Sequence, residues 1–295
     1  MINYILPSWY ESSEMNMRFL KLYKRYPDYF YDNFNIVAVY DTPPYSIWNG
    51  GRIYNPSISY AKKEELIKLI SFYNDECDIP IRYVFTNSCL EKKHYYDNFS
   101  NLLLKLGESY HNEIVIYDES LMLYIKENYP NYCFISSTTK CLKNLNILNK
   151  EINNLNYKLI CLDYTLNKNI EFLKNIEKKN KIELLINEDC KFNCPCRDLH
   201  YKIISQSILD YSVENEMIFK KQCEKEKLNI FKYEDRNKMI TYEDIVNIYE
   251  PMGFSFFKIE GRTMDPLSLI TTYNRYMVKP EYRDYIMTES LRQEK

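Results

Sequence analysis

Glycine and histidine are both scarce in this sequence, with five Gly and three His among 295 residues. Neither GxGxxG nor GxxxxGK(S/T) occurs, so the chain lacks the glycine-rich loops that bind dinucleotides and nucleotide phosphates. Because histidine is so rare, a general base is expected to be a carboxylate such as Glu260 or Glu188. No Ser–His–Asp triad can be assembled from the pattern.

Charge excess and long apolar runs are also missing. The formal net charge is −2, which provides no global field for binding nucleic acid or a membrane surface. No apolar run reaches the ~18 residues of a membrane span, and the N-terminal segment lacks the charged and apolar regions of a secretory signal. We therefore expect a cytoplasmic protein whose nine cysteines stay reduced and serve metal or redox chemistry instead of disulfides.

Short apolar runs rich in β-branched residues alternate with amphipathic helical patterns. The predicted strands are Asn35–Tyr40, Ile81–Asn87, Glu113–Asp118, Tyr132–Ser137, Tyr157–Asp163, Ile182–Asn187, Leu228–Tyr233 and Phe254–Glu260. This alternation predicts an α/β fold with parallel strands, and eight such units close a (β/α)8 TIM-type barrel. We expect one domain over residues 1–295, irregular around its seventh strand and with a short C-terminal tail from about 283 to 295. An open doubly wound sheet is the alternative, but it usually carries the glycine-rich turn that is missing here.

Ionisable residues recur at every second position of the last predicted strand. Lys258, Glu260 and Arg262 share one face, although barrel strands are buried on both faces. Such charges must pair with each other or bind something, and catalytic groups of barrel enzymes lie at carboxyl ends of strands. The other strand ends add Asp41, Thr86, Asn87, Asp118, Ser136, Ser137, Asp163, Asn187 and Glu188. The pattern predicts a site at this rim, with a lumen ion-pair network as the alternative.

Three cysteines follow the strand Ile182–Asn187 with the spacing CxxxCxC: Cys190, Cys194 and Cys196. Pro195 suits a first helical position, which would place Cys194 at a helix N-terminus, where the dipole lowers a thiol pKa and favours thiolate. With Cys223, four thiolates would suit a 4Fe-4S cluster. With His200 as the alternative fourth ligand, the three thiols would suit zinc. Free thiols are the third alternative.

The run Phe257–Thr263, FKIEGRT, leads into a tyrosine-containing helix and resembles the collagenase-like peptidase family, family U thirty-two. The resemblance implies a TIM-type barrel and one of two activities: proteolysis, or oxygen-independent hydroxylation by members that hold an iron–sulfur cluster. Lys258, Glu260 and Arg262 match the strand motif, and Cys190 with Cys194 resembles part of a cluster site. The glycine- and serine-rich cysteine signature of the peptidase members is missing. The pattern NxxCxxxCPxR, residues 187–197, resembles a divergent, uncharacterised subgroup.

The leading hypothesis is an iron–sulfur barrel enzyme of the hydroxylase branch. Its cluster would be held by Cys190, Cys194, Cys196 and Cys223. Glu260 would act as acid or base, while Lys258 and Arg262 orient an anionic or carbonyl-bearing substrate. Further substrate contacts are predicted at Arg52, Asn87, Asn187 and Glu188. The alternatives are a peptidase of the same family and a non-catalytic, metal-stabilised subunit that docks on a related barrel as a homodimer or heterodimer.

Overall fold

Eight parallel strands form one closed barrel. The structure is a computed structural model that describes residues 1–51, 61–188, 190, 193–214, 217, 239–262 and 264–292. The strands are β1 (Ile2–Pro7), β2 (Phe34–Asp41), β3 (Ile81–Phe85), β4 (Glu113–Ile116), β5 (Cys133–Ser136), β6 (Tyr157–Cys161), β7 (Ile182–Leu185) and β8 (Phe256–Lys258). The predicted (β/α)8 fold is confirmed.

Helices alternate with these strands along the chain. They are α1 (Ser13–Arg25), α2 (Lys63–Ser71), α3 (Asn98–Gly107), α4 (Glu119–Asn128), α5 (Leu145–Asn153), α6 (Ile170–Lys174), α7 (Arg197–Leu209), α8 (Tyr242–Asp244), α9 (Pro266–Met277) and α10 (Arg283–Leu291). Helix α2 shows why they form: Leu66, Leu69 and Ile70 recur at helical spacing and are buried, while the first turn carries Glu64 and Glu65.

The barrel closes through β1, a strand that the sequence pattern did not indicate. It pairs with β2 on one side and with β8 on the other. Every residue of Ile2–Pro7 except Asn3 is buried, so the segment lacks the alternation of a half-exposed strand, and it ends in proline. The predicted strand Leu228–Tyr233 lies outside the described residues.

The predicted strands continue two residues past their observed carboxyl ends in several places. The strand predicted as Ile81–Asn87 ends at Phe85, and the one predicted as Ile182–Asn187 ends at Leu185. Apart from Ile186, the extra residues of these two runs are polar, and they belong to the loops that follow. Because all eight strands are parallel, these loops gather at one rim of the barrel.

Two of the polar residues at the strand ends act as helix caps. The Asp118 carboxylate accepts the Leu121 N–H at 2.6 Å at the start of α4. The Asp163 carboxylate accepts the Thr165 N–H at 2.9 Å, at the start of a single 3-10 turn. Such caps satisfy helix N–H groups that have no partner within the helix. Their presence at strand ends therefore has a structural explanation.

The barrel interior combines an apolar layer with a group of buried charges. The apolar layer consists of Ile5, Ala38, Tyr40, Val84, Val115, Ile135 and Leu159. Near the amino ends of the strands, Arg82 donates from Nε to Glu113 at 2.8 Å and also pairs with Glu183. Lys258 Nζ lies 3.6 Å from Glu183 Oε1. We call Arg82, Glu113, Glu183 and Lys258 the lumen network; the ion pairs predicted for the lumen exist, alongside a distinct group of residues at the rim.

The predicted C-terminal tail, about 283–295, is helical for most of its length. Helix α10 spans Arg283–Leu291 and buries Ile286 and Ser290. Residues 293–295 lie outside the described residues. In the part of the chain that the structure describes, no helix combines the length and the apolar character needed to cross a membrane.

Candidate active site at the barrel mouth

A cavity of about 160 Å³ lies at the carboxyl ends of the strands, and we call it the mouth cavity. Its wall takes residues from several strand ends and from α7. The loop after β2 contributes Gly50, where an added Cβ would lie 2.4 Å from the Thr86 carbonyl oxygen. A side chain at this position would force the two backbones apart, so glycine lets the loop lie against the end of β3.

Glu188 and Glu260 both line the mouth cavity, and their side chains are hydrogen-bonded to each other. We call these two residues the carboxyl pair. A hydrogen bond between carboxyl groups needs a proton on one of them. Glu188 already accepts Arg197 Nη2 at 3.1 Å and the Cys190 N–H at 2.9 Å, which favours its ionised form.

Opposing effects set the pKa of Glu188. Its burial raises the pKa, because a carboxylate is poorly solvated inside the protein. The Arg197 guanidinium, the Cys190 N–H and the Glu260 side chain oppose this, and together they hold the pKa below its usual value. Glu188 is therefore the member of the carboxyl pair that is kept ionised.

Asn187 fixes the position of Glu260. Its Oδ1 accepts the Glu260 N–H at 2.7 Å, and its Nδ2 donates to the Glu260 carbonyl at 2.8 Å. The Asn187 side chain is fully buried and does not line the mouth cavity. The predicted contact between Asn187 and a substrate stays a prediction; in the structure its side chain positions Glu260.

The Asn87 side chain hydrogen-bonds to neighbouring segments at the rim and does not line the mouth cavity. Its Nδ2 donates to the carbonyls of Ile47 at 2.8 Å and Ser205 at 3.1 Å, and its Oδ1 accepts the Cys89 N–H at 2.9 Å. These bonds connect the loop after β2, the end of β3 and helix α7. The predicted substrate contact by Asn87 likewise stays a prediction. Arg52, the remaining predicted contact on this loop, lies outside the described residues.

Lys258, the last residue of β8, lies in the cavity wall with its side chain almost fully buried. Its ammonium sits 4.0 Å from the centre of the Tyr40 ring, a favourable cation–π arrangement. Burial lowers the pKa of Lys258, and the neighbouring Arg82 and Arg262 add to this effect. Glu183 opposes it, but the net pKa stays below the usual value for lysine. The amine consequently loses its proton more readily than a surface lysine would.

Two arginines complete the cationic side of the mouth cavity. Arg197 begins α7 and is stacked on Tyr164, with its guanidinium carbon 3.9 Å from the ring centre. Arg262 lies 5.8 Å from the centre of the Tyr40 ring. Nε and Nη1 of Arg197 and Nη1 of Arg262 are buried, and none of the three has a hydrogen-bond partner among the described residues. Both side chains line the mouth cavity.

Asp41 lies at the end of β2 and is fully buried. Its side chain accepts the Thr42 N–H at 2.9 Å. Burial raises the pKa of Asp41 to about 7, in spite of the nearby Arg262 and the backbone N–H groups, which lower it. The folded protein therefore holds a proton on Asp41 at pH values where the unfolded chain has released it.

We expect Asp41→Asn to change how stability depends on pH. Between the ordinary pKa of 3.8 and about 7, the folded form of the wild type binds the proton more tightly, so its free energy of unfolding falls as pH rises. The Asn variant has no carboxyl group at this position, so its free energy of unfolding does not fall in this way. Its stability relative to wild type should increase across that range by up to about 4 kcal/mol. Urea unfolding of both proteins from about pH 4 to about pH 8 measures the difference.

Asp32→Asn is the matched control for this experiment, because the Asp32 side chain is 87% exposed. Its stability should follow the wild type at every pH. If the Asp41→Asn and wild-type curves run parallel, the raised pKa of Asp41 is wrong.

The cysteines do not gather around one centre. Cys190 lines the mouth cavity, Cys194 lines a neighbouring cavity of about 470 Å³, and Cys196 is exposed. We call the neighbouring cavity the side cavity. Cys223 lies outside the described residues. Within the described ranges, no group of three or more His, Cys, Asp and Glu residues could hold a metal ion. The described thiols thus do not fit a cluster or a zinc site, with His200 or without it, and the predicted 4Fe-4S cluster stays a prediction.

The helix after the cysteines begins later than the proline suggests. Helix α7 starts at Arg197 with Cys196 in the capping position, so Pro195 precedes the helix and Cys194 does not cap it. The thiolate form expected in this segment is also disfavoured at Cys190, because burial raises the pKa of its thiol to about 11. Packing of Cys190 against Tyr164 and Leu185 explains this, because an apolar setting disfavours the charged form.

Several residues of the mouth cavity were missed from the sequence. Arg197 ends the CPxR pattern, but only the fold shows that it turns towards Glu188 and Glu260. The sequence pattern indicated Tyr40 only as an apolar strand residue. In the structure Lys258 and Arg262 lie over its ring. The signal for Arg197 was its fixed distance from Asn187 in the pattern NxxCxxxCPxR.

Charged residues at the carboxyl ends of a parallel (β/α)8 barrel have the placement that active sites take in barrel enzymes. Among solved structures, that of the U32 peptidase Mk0906 is similar to this chain, with a TM-score of 0.50 and 12% sequence identity. The match covers 88% of this chain and 93% of the other. At this identity the likeness is one of fold. No family model and no curated protein matches the chain.

Proposed function

We propose that this protein is a barrel hydrolase of the peptidase type, with the carboxyl pair as its acid and base. The observation that carries the proposal is the hydrogen bond between Glu188 and Glu260 in the wall of the mouth cavity. Two carboxyl groups that share one proton provide an acid and a base at one point. The peptidase class is supported by the fold shared with the U32 peptidase and by the motif around Glu260.

Amide hydrolysis uses such a pair directly. The ionised carboxylate takes a proton from water as the water oxygen bonds to the carbonyl carbon. The protonated carboxyl gives its proton to the nitrogen as the C–N bond breaks. Lys258, in the same wall, supplies positive charge for the carbonyl oxygen as it becomes an oxyanion. The water and the two carboxyl groups account for every proton, and no electron transfer is needed.

The supports around the pair keep it in place. Asn187 holds the main chain of Glu260 from both sides, and Arg197 holds the Glu188 carboxylate. Fixed catalytic groups lower the entropic cost of reaching the reactive geometry. We therefore assign Asn187 and Arg197 as positioning residues for the pair.

Incubation with a peptide library tests the proposal. We expect the purified protein to generate new peptide termini, detected by mass spectrometry, under both reducing and oxidising conditions. The double variant Glu188→Gln/Glu260→Gln should generate none, with its melting temperature measured to exclude unfolding, because the first substitution leaves the buried Arg197 without its carboxylate partner. Lack of cleavage by the wild-type protein under all conditions would contradict the peptidase assignment.

The other two functions predicted from the sequence remain separate proposals. For an iron–sulfur hydroxylase, anaerobically purified protein should absorb visible light, and Cys194→Ser should abolish the absorption. For a non-catalytic subunit, Glu260→Gln should leave function intact, whereas Cys194→Ser should unfold the chain. No observation on the described residues favours either of them over hydrolysis.

A further inference from the structure

The three unpaired donors at the mouth cavity share a geometry that suits one kind of ligand. Arg197 is only 5% exposed, and its guanidinium is held between two rings, 3.9 Å from the centre of Tyr164 and 5.1 Å from that of Tyr201. Its Nη2 is already used by Glu188. Nε and Nη1 remain without a hydrogen-bond partner in the described part of the chain. A buried N–H without an acceptor is costly. These N–H groups are therefore suited to donate hydrogen bonds to the oxygens of a ligand.

Arg262 presents the same chemistry from the other side of the site. It follows β8, lines the mouth cavity and keeps its buried Nη1 without an acceptor within the described ranges. Arg197 and Arg262 come from segments separated by 64 intervening residues, yet both side chains line one small space. Guanidinium groups bind carboxylates and phosphates through charge-assisted hydrogen bonds.

The charges around the cavity leave it positive. Lys258, Arg197 and Arg262 line it as cations, and Glu188, whose pKa is held below its usual value, contributes a negative charge. Glu183, which faces Lys258, is already paired with Arg82. The three cations exceed the two carboxyl groups of the wall, so an anionic ligand is favoured there.

We propose that Arg197 and Arg262 form a binding site for the terminal carboxylate of the substrate. The inference rests on the proposed function in one respect, namely that the substrate is a peptide, which would then be cleaved near its C-terminus. A volume of about 160 Å³ suits a small group, since a cavity of ~150 Å³ holds one benzene molecule. One small residue with its carboxylate has this size.

The side cavity offers room for the remainder of the peptide. It shares Thr139, Arg197 and Tyr201 with the mouth cavity, so the two spaces adjoin at Arg197. Its wall also carries Lys143 and Lys202, both exposed. A chain that leaves the mouth cavity on this side would pass two further cations.

Calorimetric titration with three probes tests the carboxylate site without turnover. N-acetylglycine carries the carboxylate, N-acetylglycinamide is its neutral match, and inorganic phosphate is the competing anion. We expect N-acetylglycine to bind at least about tenfold more tightly than the amide, and Arg262→Lys to weaken it by at least about tenfold. Arg197→Lys should do the same, with its melting temperature measured to exclude unfolding. Arg18→Lys, on helix α1, is the matched control and should bind like wild type.

Glu260→Gln separates this inference from the proposed hydrolysis. It should lower the rate of peptide cleavage by about 10²- to 10⁴-fold and leave the affinity for N-acetylglycine close to the wild-type value, because the amide can still donate to Glu188. Equal affinities for N-acetylglycine and its amide overturn the inference even if peptides are cleaved. Tighter binding of phosphate overturns the carboxylate assignment, and so does the failure of every probe to bind folded wild-type protein. Carboxylate binding without any cleavage would leave the site standing and reject the hydrolase.

Discussion

Arg82→Met is expected to lower the free energy of unfolding by about 3–5 kcal/mol, because breaking a buried ion pair from one side leaves its partners uncompensated. Arg82 is 1% exposed, and its partners Glu113 and Glu183 are 2% and 0% exposed. Burial raises the pKa of Glu113, yet Arg82 and Lys158 overcome this and hold it below its usual value. Methionine would fill much of the space and remove the charge that holds the pKa of Glu113 low. Urea unfolding at neutral pH measures the loss.

Two companion variants make this result specific. Arg18→Met removes an arginine from a largely exposed ion pair with Glu14, and it should change stability by no more than about 0.5 kcal/mol. Arg82→Met combined with Glu113→Gln and Glu183→Gln should regain part of the stability, since neither glutamate is left charged without Arg82, although Lys258 loses its carboxylate neighbour. A change below about 1 kcal/mol in Arg82→Met itself would show that the lumen network is dispensable.

The strand–helix order was visible in the sequence because each strand past the first is a compact apolar run followed by a helical pattern. The run Ile182–Asn187, for example, contains all of β7. The first strand escaped because Ile2–Pro7 has no alternation and no preceding helix, and its partners β2 and β8 are known only once the barrel closes. Closure is a long-range property, which local patterns do not encode.

The rim site was predictable in part for a similar reason. A period of two on β8 placed Lys258, Glu260 and Arg262 on one face, and all three do line the mouth cavity. Side-chain direction in loops was not predictable. Asn187 turns back to the backbone of Glu260, and the closely spaced Cys190 and Cys194 face different cavities. Spacing in the chain brings residues near each other but does not aim their side chains.

The buried charges of the lumen network and those at the rim differ in how they are paired. Glu183 neutralises Arg82 and faces Lys258, so the charges deep in the barrel are paired. At the rim, Arg197 and Arg262 keep donors without an acceptor in the described residues. The charges inside the barrel are thus paired, whereas the arginines at the rim have N–H donors available. This arrangement suits a site whose ligand supplies the anion.

Glu260→Gln is expected to lower the rate of peptide cleavage by about 10²- to 10⁴-fold, the usual contribution of a general acid or base. The substitution removes the acidic proton and keeps the size and hydrogen-bonding capacity of the side chain. Its amide N–H can still donate a hydrogen bond to the Glu188 carboxylate, and the two backbone bonds from Asn187 remain. The transferable proton alone is lost. Initial rates on a peptide found in the library, measured for both proteins across pH, give the comparison.

Asn187→Ala is the matched control, because it disturbs the position of Glu260 and leaves its carboxyl group intact. We expect a smaller loss of rate with the wild-type pH profile retained, since the same two carboxyl groups still exchange the proton. Glu260→Gln should instead remove the limb of the profile that belongs to the shared proton. If Glu260→Gln cleaves peptides at the wild-type rate, the proton on this residue has no part in the reaction, and the acid must be sought at Lys258 or Glu188.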